Sequence, residues 1–472
     1  MTSPPEPAVA EAPPAPKGRA SIALSDARPI WQSMGVFLIP LMLSNVLQSL
    51  GQTANSIYLG RLVGVHALAA VSAIFPLVFF LISFLIGLGA GSSILIGQAF
   101  GAHDDVKVKQ IAGTTLALVI GLGILVGGLG GVFSPELLRA LGTPADVLPA
   151  SASYARYTFF SIPLLFAYLT YTTFLRGVGD TRTPFVVLIF STITTFALTP
   201  LFILGGYGIP RFGTNGAAIA NIVSTTLALV ALLIILRRTN NPLALDRAML
   251  ANFKVRPKLA MTIAKIGIPT SVNLVMVSLS EIAVLAFVNR FGSTALAAYG
   301  AVNQIVSYAQ FPAISIGITA SIFSAQSIGA GRTERLGKIV RSAVALNYAI
   351  EGVIILIVYA LATQVISLFI TSPQTVEVAR HLLTITLWSY AIFGNARIIS
   401  AVMISSGYVV WPTIISIASI WAVEVPVAYV LMQRIGLDGV WYGYPAAYVA
   451  GLLMQLAYYQ FVWKRKTLRR MV

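Results

Sequence analysis

One stretch of the chain occurs twice, and this internal repeat limits the possible folds more than any other feature. Residues 67–101 and 295–329 align at a constant shift of 228 residues, which places Gln98 on Gln326. The same shift aligns further identical residues: Gly89 with Gly317, Ser93 with Ser321, Gly101 with Gly329, Gly179 with Gly407 and Pro184 with Pro412. Each half of the chain is therefore a copy of one ancestral unit.

The composition places the chain in a lipid bilayer. Hydrophobic residues make up 57% of it, charged residues 10%, and the mean hydropathy is +0.85, whereas soluble domains have about 25% charged residues. The absence of cysteine excludes disulfides and thiolate metal sites. The three histidines are scattered, so we expect no metal and no cofactor.

A membrane-spanning helix needs about 20 predominantly apolar residues. By that criterion we predict twelve spans, six in each copy of the repeat. They are 33–58, 66–96, 110–133, 152–175, 184–206, 215–236, 262–289, 295–325, 340–364, 380–404, 412–433 and 440–463.

An even number of spans per copy means that both copies enter the membrane from the same side. The predicted fold is thus an all-α integral membrane protein with twelve transmembrane helices in two parallel six-helix repeats. The predicted divisions are a disordered N-terminal tail (1–30), an N-lobe (31–236), a connector (237–261), a C-lobe (262–463) and a basic C-terminal tail (464–472).

The basic residues indicate the orientation. One set of loops and both tails hold 23 lysines and arginines, and the loops on the other side hold seven. Because positive residues concentrate on the cytoplasmic side, we predict that both termini and the connector are cytoplasmic. The charges are spread over separate loops without interleaved aromatic residues, which argues against nucleic-acid binding.

Two short segments suggest a family. The turn 176–184 reads RGVGDTRTP and the segment 213–218 reads GTNGAA. Together with the repeat and the twelve spans, they resemble the MATE (multidrug and toxic compound extrusion) family, and its DinF-like bacterial branch more than its NorM branch. The resemblance covers essentially everything after residue 30. It implies two six-helix lobes around a central cleft, and export of amphipathic, often cationic, small molecules driven by proton or sodium antiport. We expect a monomer in the bacterial cytoplasmic membrane.

Polar residues on one face of the first span are candidates to line the cleft. Asn45, Gln48, Gln52 and Asn55 follow each other at spacings of three, four and three residues. Further candidates for the cleft lining are Thr199, Asn303, Gln304, Tyr168, Trp388 and Tyr390. Two alternatives stay open: the amides could join helices by hydrogen bonds, and the aromatic residues could form the interfacial belt.

Ionisable residues inside the membrane are costly and therefore informative. Near the centres of its spans, the first half has none, whereas the second has Glu281, Glu351, Arg397 and Glu424. We hypothesise that one or more of these acids bind the coupling proton or a cationic substrate, with Arg397 as partner. A static Arg–Glu pair that fixes two helices is the alternative, and the sequence leaves open which acid would pair with Arg397.

The chain departs from the family at two positions. The acid that the resemblance implies in the first span falls on Asn55, and the one implied in the fifth span falls on Thr199, beside Pro200. Neither side chain can titrate, so we expect coupling in the second lobe. Sodium prefers several oxygen ligands, including carboxylate, so we expect protons rather than sodium.

Three other functions are open to a chain of this kind. A flippase for lipid-linked precursors would need a strongly cationic cleft, which three acids and one arginine do not provide. An exporter of an uncharged metabolite is a further alternative. An intramembrane enzyme ranks last, because the spans contain no paired Asp, no His cluster and no nucleophile with its base. The chain also lacks the phosphate-binding loop of an ATP-driven pump.

Overall fold

The structure is a computed structural model that describes residues 28–206, 208–370 and 372–472, and at 65–70, 72–73 and 75–76 it describes the backbone alone. Residues 1–27 of the predicted N-terminal tail (1–30) lie outside the described residues. The helices are α1 (Ile30–Leu62), α2 (Val65–Gly101), α3 (Asp105–Val132), α4 (Ser134–Ala140), α5 (Leu148–Gly177), α6 (Arg182–Leu204), α7 (Thr214–Arg238), α8 (Arg247–Ala251), α9 (Pro257–Val288), α10 (Gly292–Gly329), α11 (Leu336–Ala360), α12 (Ala362–Ser367), α13 (Pro373–Thr386), α14 (Ser389–Ser405), α15 (Val410–Ala418), α16 (Val425–Ile435), α17 (Leu437–Trp441) and α18 (Gly443–Phe461).

The twelve-helix, two-lobe architecture predicted from the sequence is confirmed. By length and composition, nine helical segments of the described chain could cross a membrane, or ten if the bent pair α13–α14 is one span. One segment, Pro257–Gly329, has 73 residues and contains both α9 and α10, joined by the 3-10 turn Asn289–Phe291. The 19-residue α18 packs against α14 and completes the C-lobe.

Two predicted spans are less regular than expected. The span predicted at 380–404 is bent by 42° between α13 and α14. The span predicted at 412–433 contains a π-helical turn, Ser419–Glu424, between α15 and α16. The short helices α4, α8, α12 and α17 were not predicted, because none is long enough to show an apolar period in the sequence.

The loops repeat the symmetry of the sequence. Gly179 and Gly407, which are equivalent in the repeat, have φ angles of +90° and +91°, a conformation that glycine adopts without strain. Asp180 follows the first of them and accepts hydrogen bonds from the backbone N–H of Arg182 (3.1 Å) and Thr183 (3.0 Å). This carboxylate therefore satisfies two backbone N–H groups in the first turn of α6.

The two lobes share a core at one end of the bundle and separate at the other. We call the end with the α2–α3, α5–α6, α10–α11 and α14–α15 loops the basic end, and the opposite end the far end. At the basic end, α1 packs into a C-lobe core through Met34 and Phe37, and α9 packs into an N-lobe core through Ile263 and Ile266. The described cores of the far end each belong to one lobe. The cleft therefore opens at the far end.

Glycine lets the lobes meet backbone to backbone at the basic end. A β-carbon built at Gly101 would overlap the carbonyl group of Gln326, and one at Gly329 would overlap that of Gln98. These two contacts are equivalent in the repeat, so α2 and α10 cross about a pseudo-two-fold axis. Contacts this close between helices require small residues.

The glutamine side chains at this crossing bind the opposite lobe. Gln98 Nε2 donates to the carbonyl oxygen of Ser405 at the end of α14 (2.9 Å), and Gln326 Nε2 donates to that of Gly177 at the end of α5 (2.8 Å). The Met471 N–H donates to Gln98 Oε1 (2.9 Å), so the C-terminal residues also contact the crossing. We call the contacts around Gln98 and Gln326 the glutamine closure.

A disulfide should lock this closure. A β-carbon at Gly97 would lie 3.1 Å from Cβ of Ala325 in the other lobe, a few tenths of an ångström below the usual Cβ separation in a disulfide. Because the chain has no cysteine, we expect the Gly97→Cys/Ala325→Cys variant to lose both thiols on mild oxidation, measured by maleimide labelling and mass. The two single-cysteine variants should keep their thiol, and two thiols that stayed reactive in the double variant would contradict the described closure.

Candidate functional site

Glu424 lies where the helix geometry of the C-lobe is interrupted. It ends the π-helical turn Ser419–Glu424, two residues before Pro426 at the start of α16. Proline cannot donate a helical hydrogen bond, and π-helical turns frequently mark functional sites. The Glu424 side chain is 4% exposed, and a β-carbon at Gly443 of α18 would lie 2.9 Å from the Glu424 carbonyl oxygen. Close packing against α18 thus fixes the position of this acid.

Glu424 is at the centre of a group of polar side chains from four parts of the C-lobe. Glu424 lies within electrostatic range of Glu281 on α9 and of four tyrosines. The tyrosines are Tyr299 on α10, Tyr390 on α14, and Tyr444 and Tyr448 on α18. The hydroxyl groups of Tyr299 and Tyr444 are 3.2 Å apart and hydrogen-bonded. We call these six residues the carboxylate–tyrosine cluster.

Aromatic packing holds the tyrosines of the cluster. The ring centroids of Tyr390 and Tyr448 are 5.3 Å apart, and Phe393 lies 5.0 Å from Tyr448. Tyr299 stacks on Trp441, with centroids 5.7 Å apart and an interplanar angle of 8°. Aromatic pairs at these distances contribute beyond the area that they bury. The tyrosine hydroxyl groups are therefore held in place around the carboxylates by their rings.

The two acids of the cluster differ in exposure. Glu281 is exposed, whereas Glu424 is buried. Glu281 is therefore the accessible acid of the cluster, and Glu424 is the enclosed one. The structure thus brings together two of the three acids singled out in the sequence, together with Tyr390.

Glu351 lies apart from the cluster. It is fully buried on α11, and neither carboxylate oxygen has a hydrogen-bond partner; the Ala313 amide faces it without hydrogen-bond geometry. One helical turn earlier, Asn347 Nδ2 donates to the Ala391 carbonyl oxygen (2.8 Å) and to Asn395 Oδ1 (3.2 Å) on α14. Burying an unpaired carboxylate costs free energy, so Glu351 does not stabilise the packing of α11 by pairing.

Arg397 does not pair with any of these acids in the described part of the chain. No ion pair or hydrogen bond joins its guanidinium group to Glu281, Glu351 or Glu424. Its β-carbon lies against α10, 3.8 Å from a β-carbon built at Gly317. A static Arg–Glu pair, the alternative drawn from the sequence, is therefore not formed in this conformation.

The polar face of α1 divides into two parts. Asn45 Nδ2 donates to Ser315 Oγ on α10 (3.0 Å), so this amide joins the two lobes. Gln48 and Gln52 are exposed and Asn55 is half-buried. The face thus contains one amide that joins two helices and others that are accessible. From the sequence, such amides could either line the cleft or join helices by hydrogen bonds.

The remaining candidates differ in accessibility. Thr199 is buried and its Oγ1 has no hydrogen-bond partner, and Tyr168 is buried in the N-lobe core. Asn303 is exposed, Gln304 is half-buried, and Trp388 is 44% exposed. Their roles in the cleft stay predictions.

Sequence reasoning missed several residues of the site. It did not select Tyr299, Tyr444 or Tyr448, because their contact with Glu424 joins helices that are far apart in the sequence. Gln98 and Gln326 appeared in it as aligned residues of the repeat. Two polar residues at equivalent positions, each three residues before an equivalent glycine, are a signal from which the closure could have been predicted.

A family profile described as MatE matches residues 40–201 and 269–430, so it finds both copies of the repeat. A curated relative, the probable multidrug resistance protein YoeA of Bacillus subtilis, is 51% identical over 94% of this chain and 96% of its own length. The chain belongs to the MATE family. As the family performs transport, the protein is a multi-pass membrane transporter and not an enzyme.

More distant MATE relatives have different names. The multidrug export protein MepA of Staphylococcus aureus is 24% identical over 87% of this chain and 89% of its own length. The FAD transporter of Shewanella oneidensis is 27% identical over 86% of this chain and 88% of its own. The crystal structure of a point mutant of the Vibrio cholerae MATE transporter VcmN has a TM-score of 0.85 at 20% identity and covers 92% of this chain and 98% of its own. This structural likeness shows the MATE fold.

Replacing Glu351 by an apolar side chain of similar length should not destabilise the protein. Glu351→Met removes a buried carboxylate without a partner, so we expect a melting temperature in detergent equal to or above that of the wild type. Asn347→Ala is the control, because it removes two hydrogen bonds and should cost about 1–2 kcal/mol. Equal destabilisation by both variants would show that Glu351 makes a stabilising contact.

Proposed function

We propose that the protein exports amphipathic organic cations in exchange for protons, as a monomer in a bacterial cytoplasmic membrane. The observation that supports this most directly is the proximity of Glu281 and Glu424 among four tyrosines. Two carboxylates close together in a membrane interior repel each other when both are charged. Such a pair can be neutralised by a proton or by a cationic substrate, and competition between the two is what antiport requires.

The basic end faces the cytoplasm in this proposal. The positive-inside rule supports it, as does the basic character of the C-terminal tail and of the connector. The described conformation, closed at the basic end and open at the far end, is then the outward-facing state. In this state a proton from outside enters at Glu281, passes to Glu424 and releases the bound cation to the exterior.

The return step requires the opposite movement of the lobes. Opening the basic end breaks the hydrogen bonds of Gln98 and Gln326 to the opposite lobe. The cluster then faces the cytoplasm, where the proton leaves and a cation from the cytoplasm takes its place. This is alternating access between two repeats around a site within the membrane.

The names of two relatives support export of drugs, and the name of a third relative gives a different substrate. Two relatives are named as multidrug resistance or export proteins, and a third is named an FAD transporter. FAD is an anion, and the cluster of this chain contains two acids and no basic residue. Its charge therefore favours cations over anionic cargo and over lipid-linked pyrophosphates.

Protons rather than sodium are the proposed coupling ion. Hard cations such as sodium prefer several oxygen ligands at short distance. Among the described residues, no group of three or more His, Cys, Asp or Glu comes together as a metal site. Two carboxylates and tyrosine hydroxyl groups suit a proton, because one proton neutralises the pair without a full coordination shell.

Removing either acid of the cluster should abolish coupling. In proteoliposomes with an internal pH indicator, addition of ethidium should release protons with the wild type and not with Glu281→Gln or Glu424→Gln. Glu136→Gln is the matched control, because Glu136 is an exposed acid on α4 outside the cluster. The melting temperature of each variant in detergent, compared with that of the wild type, shows whether a silent variant is folded.

Three results would overturn the proposal. Proton release that persists in both cluster variants would place the coupling site elsewhere. Wild-type protein that moves ethidium only with a sodium gradient would refute proton coupling, and wild-type protein that moves no cation but does move an uncharged compound, FAD or a lipid-linked precursor would refute the substrate class.

A further inference from the structure

A cavity of about 670 Å³ opens at the basic end, between the start of α1 and the start of α11. Its wall contains five basic residues and one acid, Glu334. The basic residues are Arg28, Arg332, Arg335, Lys338 and Arg341. A concave surface with this excess of positive charge concentrates anions, because the walls exclude water and focus the field.

Helix ends add to the positive field. The wall includes Ile30, the first residue of α1, and Arg335, which precedes α11. Helix N-termini direct unpaired backbone N–H groups and a partial positive charge outward. Two long helices, of 33 and 25 residues, therefore start at a cavity that is already basic.

The equivalent position in the other lobe is filled by protein. There α3 corresponds to α11 and α9 to α1, and the connector, which precedes α9, packs against α3. A β-carbon at Gly113 would overlap the backbone of Asn252, and Thr114 Oγ1 donates to the Lys254 carbonyl oxygen (3.2 Å).

An ion pair fixes the connector in that position. Lys109 pairs with Asp246. Partial burial opposes ionisation of Asp246, but hydrogen bonds from Lys109 and the Met249 N–H outweigh it and hold the pKa of this carboxyl below its ordinary value. Among the described residues, the N-lobe thus has a segment of the chain where the C-lobe has a cavity; residues 13–27, which are equivalent to 241–255 in the repeat, lie outside the described part of the chain.

One pair of equivalent residues differs between the two copies in a way that agrees with the difference in filling of this position. At the shift of 228, Gly113 corresponds to Arg341. The N-lobe has a glycine that makes room for the connector, and the C-lobe has an exposed arginine in the cavity wall. The same place in the fold therefore binds protein in one copy and presents a basic surface in the other.

We propose that this cavity binds the phosphate headgroup of an anionic phospholipid. Its position at the starts of α1 and α11 is the level at which lipid headgroups lie. Basic pockets between membrane helices on the cytoplasmic side suit such headgroups. Exposed apolar side chains on the same two helices, Trp31 and Ile39 on α1 and Tyr348 on α11, provide a surface for the acyl chains.

The bound lipid joins the two lobes. Arg28 and Ile30 precede or begin the first helix of the N-lobe, whereas Lys338 and Arg341 belong to the C-lobe. An anion that contacts both sides stabilises the conformation in which they are close, which is the one closed at the basic end. This site differs from the carboxylate–tyrosine cluster in position and in charge, so it does not depend on the proposed antiport.

The test is lipid binding to the purified full-length protein in detergent at low salt. Phosphatidylglycerol should raise the melting temperature of the wild type in a saturable way, and phosphatidylcholine should not. Lys338→Gln/Arg341→Gln should weaken the apparent phosphatidylglycerol affinity by about 30-fold, because each basic residue near an anionic lipid contributes about a factor of five.

Two controls make the result specific. Arg237→Gln/Arg238→Gln removes two exposed charges in the last turn of α7, at the same end but outside the cavity, and should bind phosphatidylglycerol like the wild type. The conservative Lys338→Arg/Arg341→Lys variant keeps the charge and should retain binding, which separates loss of charge from loss of folding.

Three outcomes would overturn the proposal. The first is equal loss of affinity in the cavity variant and in the α7 control, which would indicate a diffuse surface effect. The second is equal stabilisation by phosphatidylcholine. The third is stabilisation by inorganic phosphate or glycerol 3-phosphate at the concentrations at which phosphatidylglycerol acts, which would assign the cavity to a soluble phosphate instead of a lipid.

Discussion

The contact between the backbones of α2 and α10 is the constraint on which the rest of the structure depends. Gly101 and Gly329 let each helix approach the other's glutamine carbonyl, and Gln98 and Gln326 extend that contact into the opposite lobe. Because the lobes are joined at this end, the cleft opens at the other. In the proposed mechanism, the same contact determines which side of the membrane the carboxylate–tyrosine cluster can exchange with.

The arrangement of helices and loops is symmetric between the two lobes, whereas the positions of the acidic and basic residues are not. Equivalent glycines turn equivalent loops, as at Gly179 and Gly407, and the closure has a two-fold pattern. The acids within the membrane, in contrast, are confined to the C-lobe, where Glu424 and Glu281 lie among tyrosines. Among the described residues, the basic cavity is likewise found in one copy, and the connector occupies its counterpart. Duplication thus provides a symmetric hinge, and divergence of the two copies provides distinct sites.

The sequence predicted the fold more completely than the site. Apolar runs and the repeat determine the number of helices and the parallel lobes, because both depend on residues near each other in the chain. The cluster around Glu424 joins four parts of the C-lobe, and no local pattern shows that Tyr444 reaches Tyr299. The π-helical turn depends on how Pro426 is accommodated against α18. The separation of Glu351 and the unpaired state of Arg397 depend on side-chain directions, which the helical period does not determine.

The most direct test of the central claim, that the lobes alternate about the glutamine closure, is a pair of distances between spin labels measured at high and low pH. The cysteine-free chain allows labels at Arg139 and Arg434 on the far end, and at Arg238 and Lys464 on the basic end. We expect the two distances to change in opposite directions when the cluster is protonated or occupied by a cation, with the far-end change absent in Glu424→Gln. Distances that stayed constant, or that changed together, would contradict alternating access about this closure.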